Sequence, residues 1–118
     1  MDKPHKRLLA WRNSMDLVVK IYELTKGFPR EEIYGLTSQI RRASVSVPSN
    51  ISEGAAGRSV LQFRSFLSIA IGSLNEISTQ LEIAYRVGYL DRRKLLDAES
   101  LVDECLALTF GLRKSLRE

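Results

Sequence analysis

The sequence predicts an all-α protein, an antiparallel up-down-up-down four-helix bundle, and three observations carry that expectation. Every long apolar pattern in the 118 residues repeats near the helical period, and none alternates as a half-buried strand does. Breakers are scarce, with three prolines and seven glycines, so long segments run uninterrupted. The connections near residues 28–30, 55–58 and 89–90 are short, which forces consecutive helices to lie antiparallel. A 44% hydrophobic composition gives residues 1–118 one core and is too little for two, so a single domain is expected. Residues 1–11 are polar and basic and read as a flexible arm.

Asn13 or Ser14 can cap a first helix whose apolar positions are Met15, Val18, Ile21, Tyr22, Leu24 and Phe28, with Trp11 packing at its entry and Gly27 to Pro29 stopping it. A second helix is expected from about Glu31 to Gly54, with Glu31 and Glu32 in the first turn, where the helix dipole favours anions. Its buried face is Ile33, Leu36, Ile40, Ala43, Val47 and Ile51. Pro48 removes an amide donor and crowds the carbonyl of Ser44. A bend is expected there, with Ser44, Ser46, Ser49 and Ser52 near enough to bond freed backbone groups.

Ser59 and Gln62 form a capping box for a third helix. Its apolar run is Phe63, Phe66, Leu67, Ala70, Leu74, Ile77, Leu81, Ala84 and Tyr85, and it ends at Gly88. Ser65, Ser68, Gly72, Ser73 and Thr79 put small residues on another side of it, implying close approach of a neighbouring helix or a second subunit. Asp91 caps a fourth helix, with Leu90 and Leu95 as a hydrophobic staple. Leu95, Ala98, Val102, Cys105, Thr109, Leu112 and Leu116 then alternate steps of three and four, as a packing seam does.

The residue inventory argues against several kinds of function. Apolar runs are short and broken by charge, and the first residues show no apolar signal region, so no membrane role is expected and the location is expected to be cytoplasmic. The one cysteine, Cys105, sits at a seam position where it acts as a small hydrophobe. The one histidine, His5, has no nucleophile or metal-ligand partner in sight. Gly54-Ala55-Ala56-Gly57 lacks the Lys and Ser/Thr of a phosphate loop and reads as a turn. Neither catalysis, a metal nor a cofactor is expected.

Two features ask for more than a core. Gln39, Arg42, Ser46, Asn50 and Glu53 recur at helical steps and form a polar stripe beside the apolar face of the second helix. Glu76 on the third helix is the other carboxylate with polar neighbours. A carboxylate pair can bind a metal, but neutralisation by Arg41 or Arg42 is simpler, so Arg42, Ser46, Asn50, Glu53 and Glu76 are read as a structural polar network. The second feature is charge. Residues 1–64 hold eleven Lys or Arg against six Asp or Glu, whereas residues 65–118 hold seven against eight. Lys3, Lys6, Arg7, Arg12, Arg41, Arg58 and Arg64 are therefore the candidate contacts to a polyanion. No aromatic residues interleave with these basic ones along the chain, so phosphate contacts rather than base stacking are expected.

The order Trp11, Phe28-Pro29-x-Glu31, Tyr34-Gly35-Leu36, Gln39-Ile40-Arg41-Arg42-Ala43, Ser46-Val47-Pro48-x-Asn50-Ile51-x-Glu53-Gly54 and Ala70-x-Gly72-Ser73-x-x-Glu76 resembles a known family. These are the four-helix-bundle proteins encoded in intervening sequences of bacterial 23S ribosomal RNA genes. The resemblance spans nearly the whole chain, departing where Ser52 stands in place of a more usual alanine. It implies a small cytoplasmic bacterial protein assembled as a homopentamer, with no enzymatic activity. The chain is also similar to accessory bundle proteins of diversity-generating retroelements, which work with a reverse transcriptase and nucleic acid. The resulting expectation is a non-catalytic oligomer that binds RNA or DNA, with structured RNA favoured. The alternative is a protein-interaction adaptor with no nucleic-acid role.

Overall fold

A computed structural model describes residues 3–117, leaving the side chains of Lys6 and Arg7 outside the description. A 3-10 turn at Pro4–Arg7 leads into four α-helices: α1, Leu9–Thr25; α2, Leu36–Ala56; α3, Val60–Arg86; and α4, Arg92–Ser115. Among the described residues there is no strand. Each helix packs on the next and α4 closes back on α1, giving a rod of 46 × 23 × 22 Å. Contacts between α3 and α4 run in opposite chain directions, from Arg64 against Leu116 through Arg113 against Ser68 to Ser78 against Glu99. The α2–α3 contacts do the same, from Ser46 against Ser73 to Gly54 against Phe63 and Phe66.

The core follows the expected seams on α3 and α4. Leu67, Ala70, Leu74, Ile77, Leu81 and Ala84 of α3 are fully buried against Leu95, Ala98, Val102 and Cys105 of α4, and Ile40, Val47 and Ile51 of α2 complete the layer. Each such aliphatic side chain contributes about 1.5–3 kcal/mol by leaving water. Cys105 is fully buried, and its thiol is pushed up to about 12, first by burial and then by the carboxylates of Glu104 and Asp16. It stays protonated near neutrality and acts as a small apolar side chain.

Helix starts show where local signals compete. Leu8, following the 3-10 turn, caps α1, and its carbonyl accepts from Arg12 N at 3.1 Å. The helix therefore begins ahead of Asn13, and Leu9 to Trp11 are helical. Ser14 is a fully buried core position, satisfied by donating to the Trp11 carbonyl at 2.7 Å, whereas Met15 and Tyr22 are exposed. The buried face is Ala10, Ser14, Leu17, Ile21 and Thr25. A satisfied serine thus occupies a place that apolar periodicity leaves blank.

Helix α2 starts at Leu36 because Glu32 stops short of it. Residues Arg30–Glu32 form a separate 3-10 turn, and Glu32 Oε1 accepts from Leu36 N at 3.0 Å, capping α2 from outside. Ile33 consequently lies in the connection and is exposed. Pro48 is buried inside α2, which continues to Ala56. The side-chain bonds around it run from Ser44 Oγ to Arg41 O, from Ser52 Oγ to Ser49 O, and from Asn50 Nδ2 to Ser46 O, rather than to the Ser44 carbonyl that the proline leaves without its usual donor.

The caps of α3 and α4 are those expected. Ser59 Oγ accepts from Gln62 N at 3.2 Å and Asp91 Oδ1 from Lys94 N at 2.8 Å. The end of α3 is a Schellman turn: Tyr89 N donates to Ala84 O and Gly88 N to Tyr85 O, with Gly88 at φ +88°, where a Cβ is strained.

Candidate nucleic-acid interface

Antiparallel packing gathers residues that are remote in sequence at each end of the rod. At one end lie the start of α1, the end of α2, the start of α3 and the end of α4. Lys3, Arg12, Arg58 and Arg64 of the candidate polyanion contacts all sit there, and the chain positions of Lys6 and Arg7 precede α1 at the same end, although their side chains are outside the described residues. The bundle adds Arg113, Lys114 and Arg117, which counting charge by halves of the chain missed. Among the described residues, Glu53 lies on these same turns, and Asp16, one turn along α1 from Arg12, and Glu104, which accepts from Asn13 Nδ2, lie close to Arg12.

Two of these cations are held by neutral groups. Arg64 Nη1 donates to the Leu116 carbonyl at 3.1 Å, and Arg113 Nη1 donates to Ser68 Oγ at 3.1 Å while its guanidinium lies 5.1 Å from the Phe110 ring centre. Among the described residues no carboxylate forms an ion pair with Lys3, Arg58, Arg64, Arg113, Lys114 or Arg117. The charge of Arg64 and Arg113 is thus oriented without an ion pair, as a surface that meets phosphate requires. Arg64, Phe110, Gly111, Arg113 and Lys114 line an open notch of about 350 Å³ between α3 and α4.

Arg41 stands apart from this group. It lies toward the other end of the α1–α2 seam, where Nε donates to Thr25 Oγ1 at 2.7 Å and the guanidinium covers the Tyr22 ring at 4.6 Å. Its planar head ties α1 to α2.

The polar stripe of α2 faces α3. Ser46 Oγ and Ser73 Oγ are 2.9 Å apart, and Asn50 Nδ2 donates to both Ser46 O and Ser46 Oγ, at 2.8 and 2.9 Å. On α3, Gln80 Nε2 donates to Glu76 Oε2 at 3.2 Å, leaving the buried Gln80 Oε1 without a partner among the described residues. Gln39, Arg42, Ser46, Ser73 and Glu76 line an open groove of about 390 Å³. No hydrogen bond or ion pair joins Arg42 or Glu53 to Glu76 among the described residues. The bonded group is therefore Ser46, Asn50 and Ser73, with Arg42 and Glu76 facing solvent on either wall.

A third surface was not anticipated. Trp11, Met15 and Val18 of α1 and Val45, Pro48, Ser49 and Ser52 of α2 line a mainly apolar groove of about 330 Å³, with His5 edge-on to Trp11 at 5.0 Å. The signal was present as Val45 and Met15, apolar residues one step off the buried faces. On α3, Gly72 is exposed, and a Cβ there would meet nothing within 4 Å, so Ser65, Ser68, Gly72 and Thr79 of the small-residue side are open, whereas Ser73 packs on α2. No helix among the described residues is long and apolar enough to cross a membrane.

Comparison with known proteins bears on this geometry. No curated protein matches the chain. A solved protein of unknown function from the S23 ribosomal protein family of Bacteroides thetaiotaomicron VPI-5482 is similar at 26% identity with a TM-score of 0.84, over 91% of this chain and 96% of that one. The family model described as 23S rRNA-intervening sequence protein matches residues 6–111. That span takes in all of α1, α2 and α3 and most of α4, and the chain belongs to the 23S rRNA-intervening sequence protein family.

Proposed function

We propose that this protein is a non-catalytic nucleic-acid-binding oligomer of the cytoplasm that holds RNA through phosphate contacts at its basic end. The observation that carries the reading is the convergence of Lys3, Arg12, Arg58, Arg64, Arg113, Lys114 and Arg117 on one end of the bundle, with Glu53 on the same turns and Asp16 and Glu104 near Arg12. Like charges placed together cost folding stability, and a polyanion that releases counterions on binding is the partner that offsets the cost. The description of the family by an intervening sequence of 23S rRNA makes RNA the polyanion to test first.

Assembly strengthens the reading. Exposed Leu61, Ile69 and Ile83 beside Gly72 on α3, and the apolar α1–α2 groove, offer surface for a second copy, and a homopentamer is the state that the family resemblance implies. Ring symmetry multiplies a modest basic end, so weak contacts act together when one RNA reaches several subunits. The apolar groove is also the observation that favours the second reading, an adaptor that binds another protein. Titrating labelled structured RNA into the protein across a salt series separates the two. Affinity falling linearly in log–log form with salt supports RNA binding, and no binding at low salt leaves the adaptor. Light scattering on the same sample gives the assembly, and a monomer at micromolar concentration removes the multivalency argument.

A further inference from the structure

The notch between α3 and α4 at the basic end differs from the rest of that end in having an aromatic floor. Phe110 is 45% exposed, three residues before Arg113 and four before Lys114 on α4, so the helical repeat places all three on one side. Arg64 comes in from α3 and is fixed at the rim by its bond to the Leu116 carbonyl. Reading charges and aromatics along the chain separates Phe110 from Arg64 by most of two helices, so their interleaving exists only in the folded bundle. Gly111 is the second unusual feature. A Cβ there would meet nothing within 4 Å, so packing within the subunit does not require glycine in the interior of α4, where it weakens the helix by about 1 kcal/mol relative to alanine. The missing side chain keeps the notch open beside the ring.

We infer that this notch is a single-strand site: one unpaired nucleotide of the bound nucleic acid lays its base on the Phe110–Arg113 tier while Arg64 and Lys114 take the flanking phosphates. The inference rests on the nucleic-acid reading above and adds to it a preference for unpaired nucleotides. Bases stack on aromatic rings and on guanidinium planes alike, and the Arg113 guanidinium over Phe110 makes one tier, a guanidinium plane backed by the ring. Arg113 is positioned by Ser68 Oγ, a neutral acceptor, so its charge remains available to the base and its phosphate. Lys114 is exposed and has no partner among the described residues. The notch volume of about 350 Å³ suits one nucleotide rather than a duplex groove.

The test compares a labelled twelve-nucleotide oligouridine, the matching oligodeoxyuridine and an RNA duplex of equal length, by fluorescence anisotropy at low salt, for the parent protein and three variants. F110L keeps the apolar volume and removes the ring. G111L fills the notch with a better helix former, so it retains the fold and the charge. R58E lies at the basic end outside the notch. F110L and G111L are each expected to weaken both single strands by at least about fivefold while leaving the duplex within about twofold. R58E is expected to weaken all three. Equal loss on the two single strands assigns the site to the base and phosphate, and loss confined to oligouridine adds the 2′-hydroxyl to it. If F110L and G111L bind single strands as the parent does, or lose duplex and single strand alike, the single-strand site is overturned while the basic end stands. If the parent binds none of the three probes, the nucleic-acid reading fails together with it.

Discussion

The two ends of the bundle are built on opposite principles. At the end that carries the α1–α2 and α3–α4 connections, Lys26, Arg30, Arg86, Arg92, Arg93 and Lys94 mix with Glu31, Glu32, Glu82 and Asp91. One residue there ties both connections. Glu32 accepts from Leu36 N through Oε1 and from the Tyr89 hydroxyl through Oε2 at 2.7 Å, and Phe28 packs on Tyr89 with ring centres 5.5 Å apart. The opposite end has the close α2–α3 approach at Gly54 for rigidity and an excess of positive charge for its surface. The tied end sets four carboxylates among its six cations and pairs Arg86 with Glu82, whereas the cations of the other end have fewer carboxylates near them. On the proposed reading the difference gives stability to one end and recognition to the other, and it can be broken by exchanging their properties.

The largest effect is expected from charge reversal at the basic end. R58E combined with K114E should weaken RNA binding by at least about tenfold at low salt and flatten its salt dependence, since phosphate contacts set that slope. Neither side chain has a partner among the described residues, so thermal stability should hold or rise as self-repulsion is relieved. Reversing Arg92 and Arg93 at the tied end is the control and should change affinity far less. Equal losses from the two pairs, measured by anisotropy, would show that net charge rather than its placement governs binding.

Next is the rigid element of the basic end. A Cβ on Gly54 would stand 2.7 Å from Phe63 Cδ1 and 3.0 Å from Phe66 Cβ. The second atom is close to the α3 backbone and has little room to move, so Gly54→Ala should cost about 1–3 kcal/mol as overpacking. Denaturant unfolding of the variant measures this directly, and a stability equal to the parent's would mean that the helices separate there without cost.

The sequence already contains most of α3 and α4, because their seams are apolar at nearly every step, Thr109 excepted, and their caps, Ser59 and Asp91, stand immediately before the first turn. It misplaces the start of α1 because Ser14, a good cap by type, is buried and returns its hydroxyl to Trp11 O. It misplaces the start of α2 because Glu32 caps from outside the helix, a contact that depends on the chain reversing at Gly35. The basic end is half legible: Lys3, Arg12, Arg58 and Arg64 share it, yet Arg113, Lys114 and Arg117 join only through the antiparallel return of α4, and Arg41 is drawn off by Tyr22 and Thr25. Local signals decide helices, while the grouping of charges is a property of the topology.

At the tied end the expected effect is smaller and depends on pH. The bond from Leu36 N, and after it the one from Tyr89, hold the Glu32 carboxyl below its ordinary 4.5, and the Glu32 carboxylate raises Tyr89 above its ordinary 10.0. A carboxyl lowered on folding stabilises above about pH 4.5, and that contribution is lost as pH falls through the folded value. A phenol raised on folding stabilises below about pH 10, and that contribution is lost as pH rises through its folded value. Tyr89→Phe should therefore lower Tm modestly between these limits and converge on the parent outside them. A constant deficit across the whole range would assign the loss to the hydroxyl's bond irrespective of the carboxylate's charge, since the ring that packs on Phe28 is retained.

The smallest effect is expected midway along the rod, and its sign is opposite. Glu99 of α4 accepts from Ser78 Oγ at 3.1 and 3.3 Å, but burial, the largest influence, raises its carboxyl above the ordinary 4.5 despite that bond, and Asp103 and Glu82 add smaller repulsions. A carboxyl raised on folding binds its proton more tightly in the native state, so it favours folding as pH falls through the raised value and disfavours it once both states are ionised. Glu99→Gln keeps the shape and an oxygen for Ser78 while removing the charge. Near neutrality the variant should melt slightly above the parent, and the gain should shrink as the solution is acidified and the parent's carboxyl takes up its proton. That is the reverse of the trend for Glu32, where acid removes stability. Paired melting curves of the parent, Glu32→Gln and Glu99→Gln between pH 3 and 8 should diverge in opposite directions. Parallel curves would mean that the carboxylate near the α3–α4 seam and the one tying the loops feel the same surroundings, and the division of the bundle into a tied end and an uncompensated remainder would lose its electrostatic basis.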